Sequence, residues 1–282
     1  MAAGLTDQPA IEPGQQFSIE KADMSSEYLS QLFSMEGQVA VVIGGTGVLG
    51  GALSEGLAQA GAHVVVAGRS HERGCQRVAA IETLGGRASF VVVDVNTRDS
   101  IRRLRDTVVG QHGRVHALVN ASGVNSGTPF LQIDDQEFDN IIATNLRSVH
   151  VACQEFIPHL VKAGGGAILN IGSVTGFLPL SKVYTYASTK SAVLSLTQNL
   201  AREFAPQQVR VNCLCPGFFP AEQNRKLLSP ERISDIMEHT PMNRFGLPEE
   251  LVGTALLLLS PAGSFITGAA IYVDGGFTCM TI

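Results

Sequence analysis

The chain of 282 residues has no tryptophan, only 6% aromatic residues and five cysteines (Cys75, Cys153, Cys213, Cys215 and Cys279) with no C-x-x-C pair among them. An odd, scattered cysteine set argues against a disulfide framework or a cysteine-rich zinc module and points to a reducing compartment. The seven histidines show no H-E-x-x-H or comparable spacing, so no metal site is expected. No apolar run is long enough to cross a bilayer, and residues 1–23 hold no basic stretch followed by an apolar one. Neither an anchor nor a secretory leader is therefore expected, and the location read from the sequence is cytoplasmic. The 20 basic residues are scattered against 25 acidic ones, a formal net charge of −5. That pattern leaves no footprint for nucleic acid or for a membrane surface and makes a small molecule the expected partner.

What is present is 45% hydrophobic residue and 30 glycines, enough for one α/β domain with a large core. Residues 1–23 are polar, carry two prolines and lack periodicity, so a disordered tail is expected there. Ser25-Ser26-Glu27 reads as the cap of a short helix whose apolar stripe is Tyr28, Leu29, Leu32 and Phe33. The division expected is thus a tail and short helix over 1–34 and a catalytic domain over 35–282. Within it, short apolar runs at 38–43, 62–67, 88–93, 115–119, 167–171, 209–214 and 270–273 alternate with helical stretches near 48–60, 71–84, 98–111, 135–163, 184–205 and 248–259. This alternation predicts a doubly wound parallel sheet.

After the first of those runs comes Gly44-Gly45-Thr46-Gly47-Val48-Leu49-Gly50, with G-x-G-x-x-G at Gly45, Gly47 and Gly50. Between a strand and a helix, this is the dinucleotide fingerprint of a Rossmann-like fold: a tight turn, a close backbone approach to a pyrophosphate and a close helix–strand contact. The second run ends Gly68-Arg69, where an acidic residue would bind a ribose 2′-hydroxyl. An arginine there favours the 2′-phosphate of NADP, with NAD still admissible if Arg69 only stacks on adenine.

Tyr186 and Lys190 are four residues apart in a helical stretch and share a face, with Ser173 thirteen residues upstream of the tyrosine. A phenol ordinarily titrates near about 10, and an ammonium beside it favours its ionised form, which makes such a pair suited to moving a proton to or from a carbonyl oxygen.

With these motifs in this order, the sequence resembles the short-chain dehydrogenase/reductase family over about residues 36–277. Asp94-Val95 looks like the family's adenine-contacting pair, Asn120-Ala121-Ser122-Gly123 stands where it has N-N-A-G, and Asn145 sits where its catalytic asparagine belongs. Pro216-Gly217 and Asp274-Gly275-Gly276 look like its later signatures, and Phe219 belongs with the first of them among the cofactor contacts. The resemblance implies that Tyr186 is the general acid/base, that Lys190 assists it and holds the nicotinamide ribose, that Ser173 bonds the substrate oxygen and that Asn145 holds a relay water. Departures are visible. Ile43 replaces a threonine, Ala121 replaces the second asparagine, Ala221 stands where a threonine is common, and the loop also fits the spacing Gly44-x-x-Gly47-x-x-Gly50.

Residues 217–240 fall where the family has its substrate lid. The stretch 217–225, with Leu32-Phe33-Ser34, is similar to the oxidoreductases acting on sugar acids, fructuronate or mannonate and gluconate among them. Arg225, Lys226 or Arg147 could then meet a carboxylate, with Asn125, Gln223 and Asn224 facing hydroxyls. The alternatives are a 3-oxoacyl-[acyl-carrier-protein]-type reductase and a non-catalytic NADP-binding regulator. Relatives of this kind tend to form homotetramers or homodimers, for which helices 135–163 and 184–205 would make the main contact.

Overall fold

Seven strands form one sheet in which every neighbouring pair is parallel: β1 (Val39–Ile43), β2 (His63–Gly68), β3 (Arg87–Val92), β4 (Ala117–Asn120), β5 (Gly166–Ile171), β6 (Val209–Pro216) and β7 (Ala270–Val273). They are arranged β3-β2-β1-β4-β5-β6-β7 in a computed structural model that describes residues 26–219 and 229–280. The doubly wound, Rossmann-like sheet expected from the alternation is the one observed. Nine helices are described: α1 (Ser26–Leu32), α2 (Val48–Gln59), α3 (His71–Thr83), α4 (Arg98–His112), α5 (Asp135–Ile142), α6 (Ser148–Lys162), α7 (Tyr184–Phe204), α8 (Pro230–Glu238) and α9 (Val252–Leu259).

Every residue of β1 is buried, because helices cover both sides of a parallel sheet and leave no strand face for water. Side-chain alternation divides the core in two. Val39, Val41 and Ile43 pack with Leu104 of α4, Phe156 of α6 and Val193 of α7, whereas Ala40 and Val42 pack with Leu53 of α2, Ile81 of α3 and Leu258 of α9. Strand order reverses between β1 and β4, and that reversal opens a crevice at the carboxyl edge of the sheet where ligands of such folds bind.

One expected element is corrected. Residues 135–163 are not a continuous helix: α5 and α6 are joined by a π-helical stretch, Ala143–Arg147. Two tertiary bonds meet this wide turn. The Asn145 amide accepts from Val124 N and donates to Val124 O, both at 2.8 Å, and the Thr144 hydroxyl donates to Asn96 Oδ1 at 3.1 Å. Periodicity cannot reveal such a widening, since the apolar stripe runs on through it. The segment 217–240 also holds a helix that apolar periodicity did not suggest. Ser229 caps α8 by accepting from Arg232 N, and Pro230 occupies its first turn, where a missing N–H costs nothing. The expected cap Ser25 and the lid residues Ala221, Gln223, Asn224, Arg225 and Lys226 lie outside the described residues. No helix among the described residues is long and apolar enough to cross a membrane.

Candidate active site

The glycine loop turns at the end of β1. Gly44 has φ +89°, and a Cβ there would come within 2.6 Å of Ser122 N, so only glycine fits. The Gly44 carbonyl accepts from Gly47 N at 3.0 Å, and Gly50 packs directly on the same carbonyl, too closely for any side chain. The turn thus packs around Gly44 and Gly50, the ends of the Gly44-x-x-Gly47-x-x-Gly50 spacing. Gly45, assigned the tight turn on the G-x-G-x-x-G reading, instead faces Ser54 and Val42 inside the structure. Gly47 caps α2, so the first N–H groups of that helix, from Val48 and Leu49 onward, point out of its start without intrahelical partners.

A cavity of about 170 Å³ opens beside this loop, lined by Gly44, Thr46, Gly47, Arg69, Asp94, Val95, Ala121, Ser122 and Gly123, all expected in one place, together with Arg73, which sequence reasoning missed. Arg73 was missed because its position depends on where α3 begins. Ser70 caps that helix by accepting from Arg73 N, and the cap brings the arginine round to the side of Arg69. Asp94 Oδ1 accepts from Asn96 N at 3.1 Å, which fixes its carboxylate.

Two expected contacts turn away. Asn120 is buried and donates to Asn170 Oδ1 at 2.9 Å, and Asn170 in turn donates to Thr197 Oγ1 at 2.9 Å. Its side chain thus ties β4 to β5 and α7 under the site. Phe219 is buried in the core with its ring against Gly246, and it lines neither this cavity nor the next.

A second cavity, about 500 Å³, is lined by Ser173, Tyr186, Gly217 and Asn125 among others, Asn125 following directly on Val124 of the first cavity's wall. Ser173 follows β5, while Tyr186 and Lys190 rise from the start of α7. Lys190 is almost fully buried, donates to the Ile171 carbonyl at 2.8 Å and has Nζ 5.4 Å from the centre of the Tyr186 ring. Ammonium, phenol and serine are thereby fixed to one corner of the sheet. A Cβ on Gly123 would lie 3.5 Å from Asn145 Oδ1 and 3.8 Å from Lys190 Nζ, so the wall of the first cavity runs close to the buried lysine. The loop over the second cavity is pinned by Glu137, whose carboxylate accepts from Ser126 Oγ at 2.5 Å and Thr128 Oγ1 at 2.6 Å.

The chain belongs to the short-chain dehydrogenase/reductase family. A family model described as enoyl-(acyl carrier protein) reductase matches residues 47–278. An uncharacterised oxidoreductase of Bacillus subtilis, UxuB, is 36% identical over 266 residues, covering 86% of this chain and 96% of that one. The gluconate 5-dehydrogenase of Gluconobacter oxydans is 34% identical over 248 residues, covering 88% and 97%. A crystal structure of a gluconate 5-dehydrogenase from Burkholderia cenocepacia in complex with NADP and tartrate superposes with a TM-score of 0.86 at 30% identity, covering 90% of this chain and all of that one. The protein is thus an oxidoreductase of this family.

Other residues near the site fall outside the cavities. Tyr184 is exposed and packs edge-on against Phe130, their ring centres 5.2 Å apart. Arg147 is exposed and lines neither cavity. Cys213 and Cys215 share a face, buried with their sulfurs 3.8 Å apart, and the hydrogen bond between them, with burial second, holds the Cys213 thiol protonated. Burial likewise pushes the Cys153 thiol up to about 12, so it offers no nucleophile at neutral pH. No metal-holding group of three His, Cys, Asp or Glu side chains occurs among the described residues.

Proposed function

We propose that the protein is an NADP-preferring dehydrogenase that interconverts a secondary alcohol and a ketone on a sugar acid or related polyol. The observation that carries this reading is the corner formed by Ser173 and Tyr186, which line the larger cavity, with Lys190 buried beside the tyrosine ring and its Nζ close to Gly123 of the cavity at the glycine loop. The residues fit the dinucleotide. The Gly44 and Gly50 positions admit no side chain, and the cavity beside them carries Arg69 and Arg73 where a 2′-phosphate would need cations. When bound, the nicotinamide supplies the site that accepts or donates hydride.

The chain's own residues do the rest. In the oxidising direction Tyr186 takes the proton of the substrate hydroxyl, and in the reducing direction it returns that proton to the carbonyl oxygen. The Lys190 ammonium stabilises negative charge at the phenol, and the Ser173 hydroxyl donates to the substrate oxygen as charge builds there. Asn145 has its amide committed to Val124, so its part is to hold the 123–124 loop against Lys190. Location in the cytoplasm and self-association into a dimer or tetramer accompany this reading.

The gluconate dehydrogenase relatives support the sugar-acid class. Absorbance-monitored turnover of NADPH and NADH with gluconate, its 5-keto product and an acetoacetyl thioester tests it, with Tyr186→Phe as control. The expected result is turnover of the sugar acids and a loss of roughly 100-fold or more in the variant, the usual worth of a general acid. Activity that survives the substitution unchanged would sink the mechanism. Turnover of the thioester alone would move the enzyme to the acyl-carrier class.

A further inference from the structure

The wall of the larger cavity facing the start of α7 contains an arginine that nothing in the expected catalytic set uses. Arg232 stands in the first turn of α8, and its two terminal nitrogens reach across 51 residues of sequence to Ser181, Nη1 donating to Oγ at 2.8 Å and Nη2 to the carbonyl at 2.9 Å. Both acceptors are neutral. The ion pairs found among the described residues engage Arg77, Arg87, Arg98, Arg102, Arg105 and Arg244, and Arg232 is in none of them. A guanidinium has five donors in a planar fork, so two bonds to Ser181 orient the plane and leave three donors and the whole charge. Ser181, Arg232, Ser173 and Tyr186 all line this one cavity.

The clamp also bears on the approach to the catalytic helix. Lys182, the residue after Ser181, has φ +63°, an uncommon conformation for a side chain other than glycine, and it is two residues from the first residue of α7. Bonding of Arg232 to the Ser181 carbonyl holds that strained link in place. The cavity wall contains Glu231 and Asp235 as well, so its formal charge is mixed. A carboxylate arriving there meets one cation already aimed by its bonds to Ser181.

We propose that Arg232, oriented by Ser181, receives the carboxylate of the substrate and sets the preference for acids over uncharged polyols. This assignment rests on the sugar-acid reading of the site. It predicts a bidentate guanidinium–carboxylate pair, the kind of contact that separates two substrates differing by one ionised group.

The test compares gluconate with glucitol, which has the same carbon skeleton and no carboxylate, in wild type, Arg232→Gln, Arg232→Lys and Ser181→Ala. NADPH binding by fluorescence and thermal unfolding are measured alongside. In R232Q the ratio of kcat/KM for gluconate over that for glucitol falls by about 30-fold or more, carried by KM, as expected on losing a charge-assisted pair. R232K keeps part of the preference because it keeps the charge, and S181A falls between it and wild type. If R232Q melts early, R232K decides: a lysine variant as indifferent as glutamine, or one that loses both substrates alike, overturns the assignment. Equal loss of gluconate and glucitol in R232Q would mean that Arg232 only braces the loop, with the sugar-acid reading intact. A wild-type enzyme silent on gluconate and other sugar acids overturns that reading and this assignment with it.

Discussion

At the scale of single residues, the site divides into what spacing can carry and what it cannot. Tyr186 and Lys190 are one helical turn apart, so their shared face was legible before any tertiary structure was known. Arg73 and Arg232 were not, because each enters a cavity only after a serine cap fixes where its helix starts, and Arg232 then pairs with Ser181, remote in sequence. Arg69 and Arg73 together give the cofactor preference a test. Replacing either with alanine should weaken NADPH by about 10-fold or more while changing NADH little, since a hydrogen bond to a charged group is worth about 1.5–3 kcal/mol. Fluorescence titration of both dinucleotides measures this. Equal weakening of the two would show that the arginines act on something common to both cofactors, not on the 2′-phosphate.

At the scale of elements, all seven strands were legible, the five central ones because a strand buried on both faces reads as an unbroken apolar run, and the half-exposed edge strands β3 and β7 as short apolar runs beside them. The π-helical break at Asn145 was not, since bonds to Val124 and Asn96 meet it from outside the helix. The opposite edge of the sheet, away from the site, holds a pH-sensitive junction. His63, at the start of β2, hydrogen-bonds Ser89 of β3 at 3.1 Å, and its ring centre lies 4.4 Å from that of His112 at the end of α4. Burial first, then His112 and Arg87, lower the His63 pKa below its ordinary 6.5, and burial with Arg114 does the same for His116. Groups lowered in this way contribute stability above the unfolded-state value, and lose it as pH falls through the folded-state value. The melting temperature should therefore drop between pH 7.5 and pH 5.5. In His63→Gln the drop should shrink by roughly 2 °C, a size set by how a fraction of a kcal/mol to one kcal/mol moves the melting point of a chain this large. Scanning both proteins at the two pH values measures it, and an identical drop would assign the acid sensitivity elsewhere.

At the scale of the whole molecule, the surface near the catalytic corner exposes several large apolar side chains. Phe130 is 64% exposed, Leu131 94%, Phe138 47% and Tyr184 42%, and the Phe130 and Tyr184 rings touch. Exposed apolar side chains scattered singly are ordinary, but several together on α5, α7 and the turn before α5 make this face the candidate for the self-association proposed above. The helices involved begin the two stretches, 135–163 and 184–205, expected to join subunits, and a two-fold contact would cover the patch with its own copy. The patch is also linked through the chain to the site. Tyr184 is two residues from Tyr186, and Phe130 is three residues from Gly127, which lines the larger cavity. Self-association would therefore brace the substrate wall, whereas the cavity beside Arg69 and Asp94 is built from β1 to β4 and needs no such support. Leu131→Asp with Phe138→Asp should reduce the mass measured by light scattering after gel filtration. It should lower turnover of gluconate together with the mass, and leave the NADPH dissociation constant within about twofold, because the substituted side chains line neither cavity. A wild-type mass equal to a single chain, or a dissociated variant with full turnover, would detach this surface from catalysis.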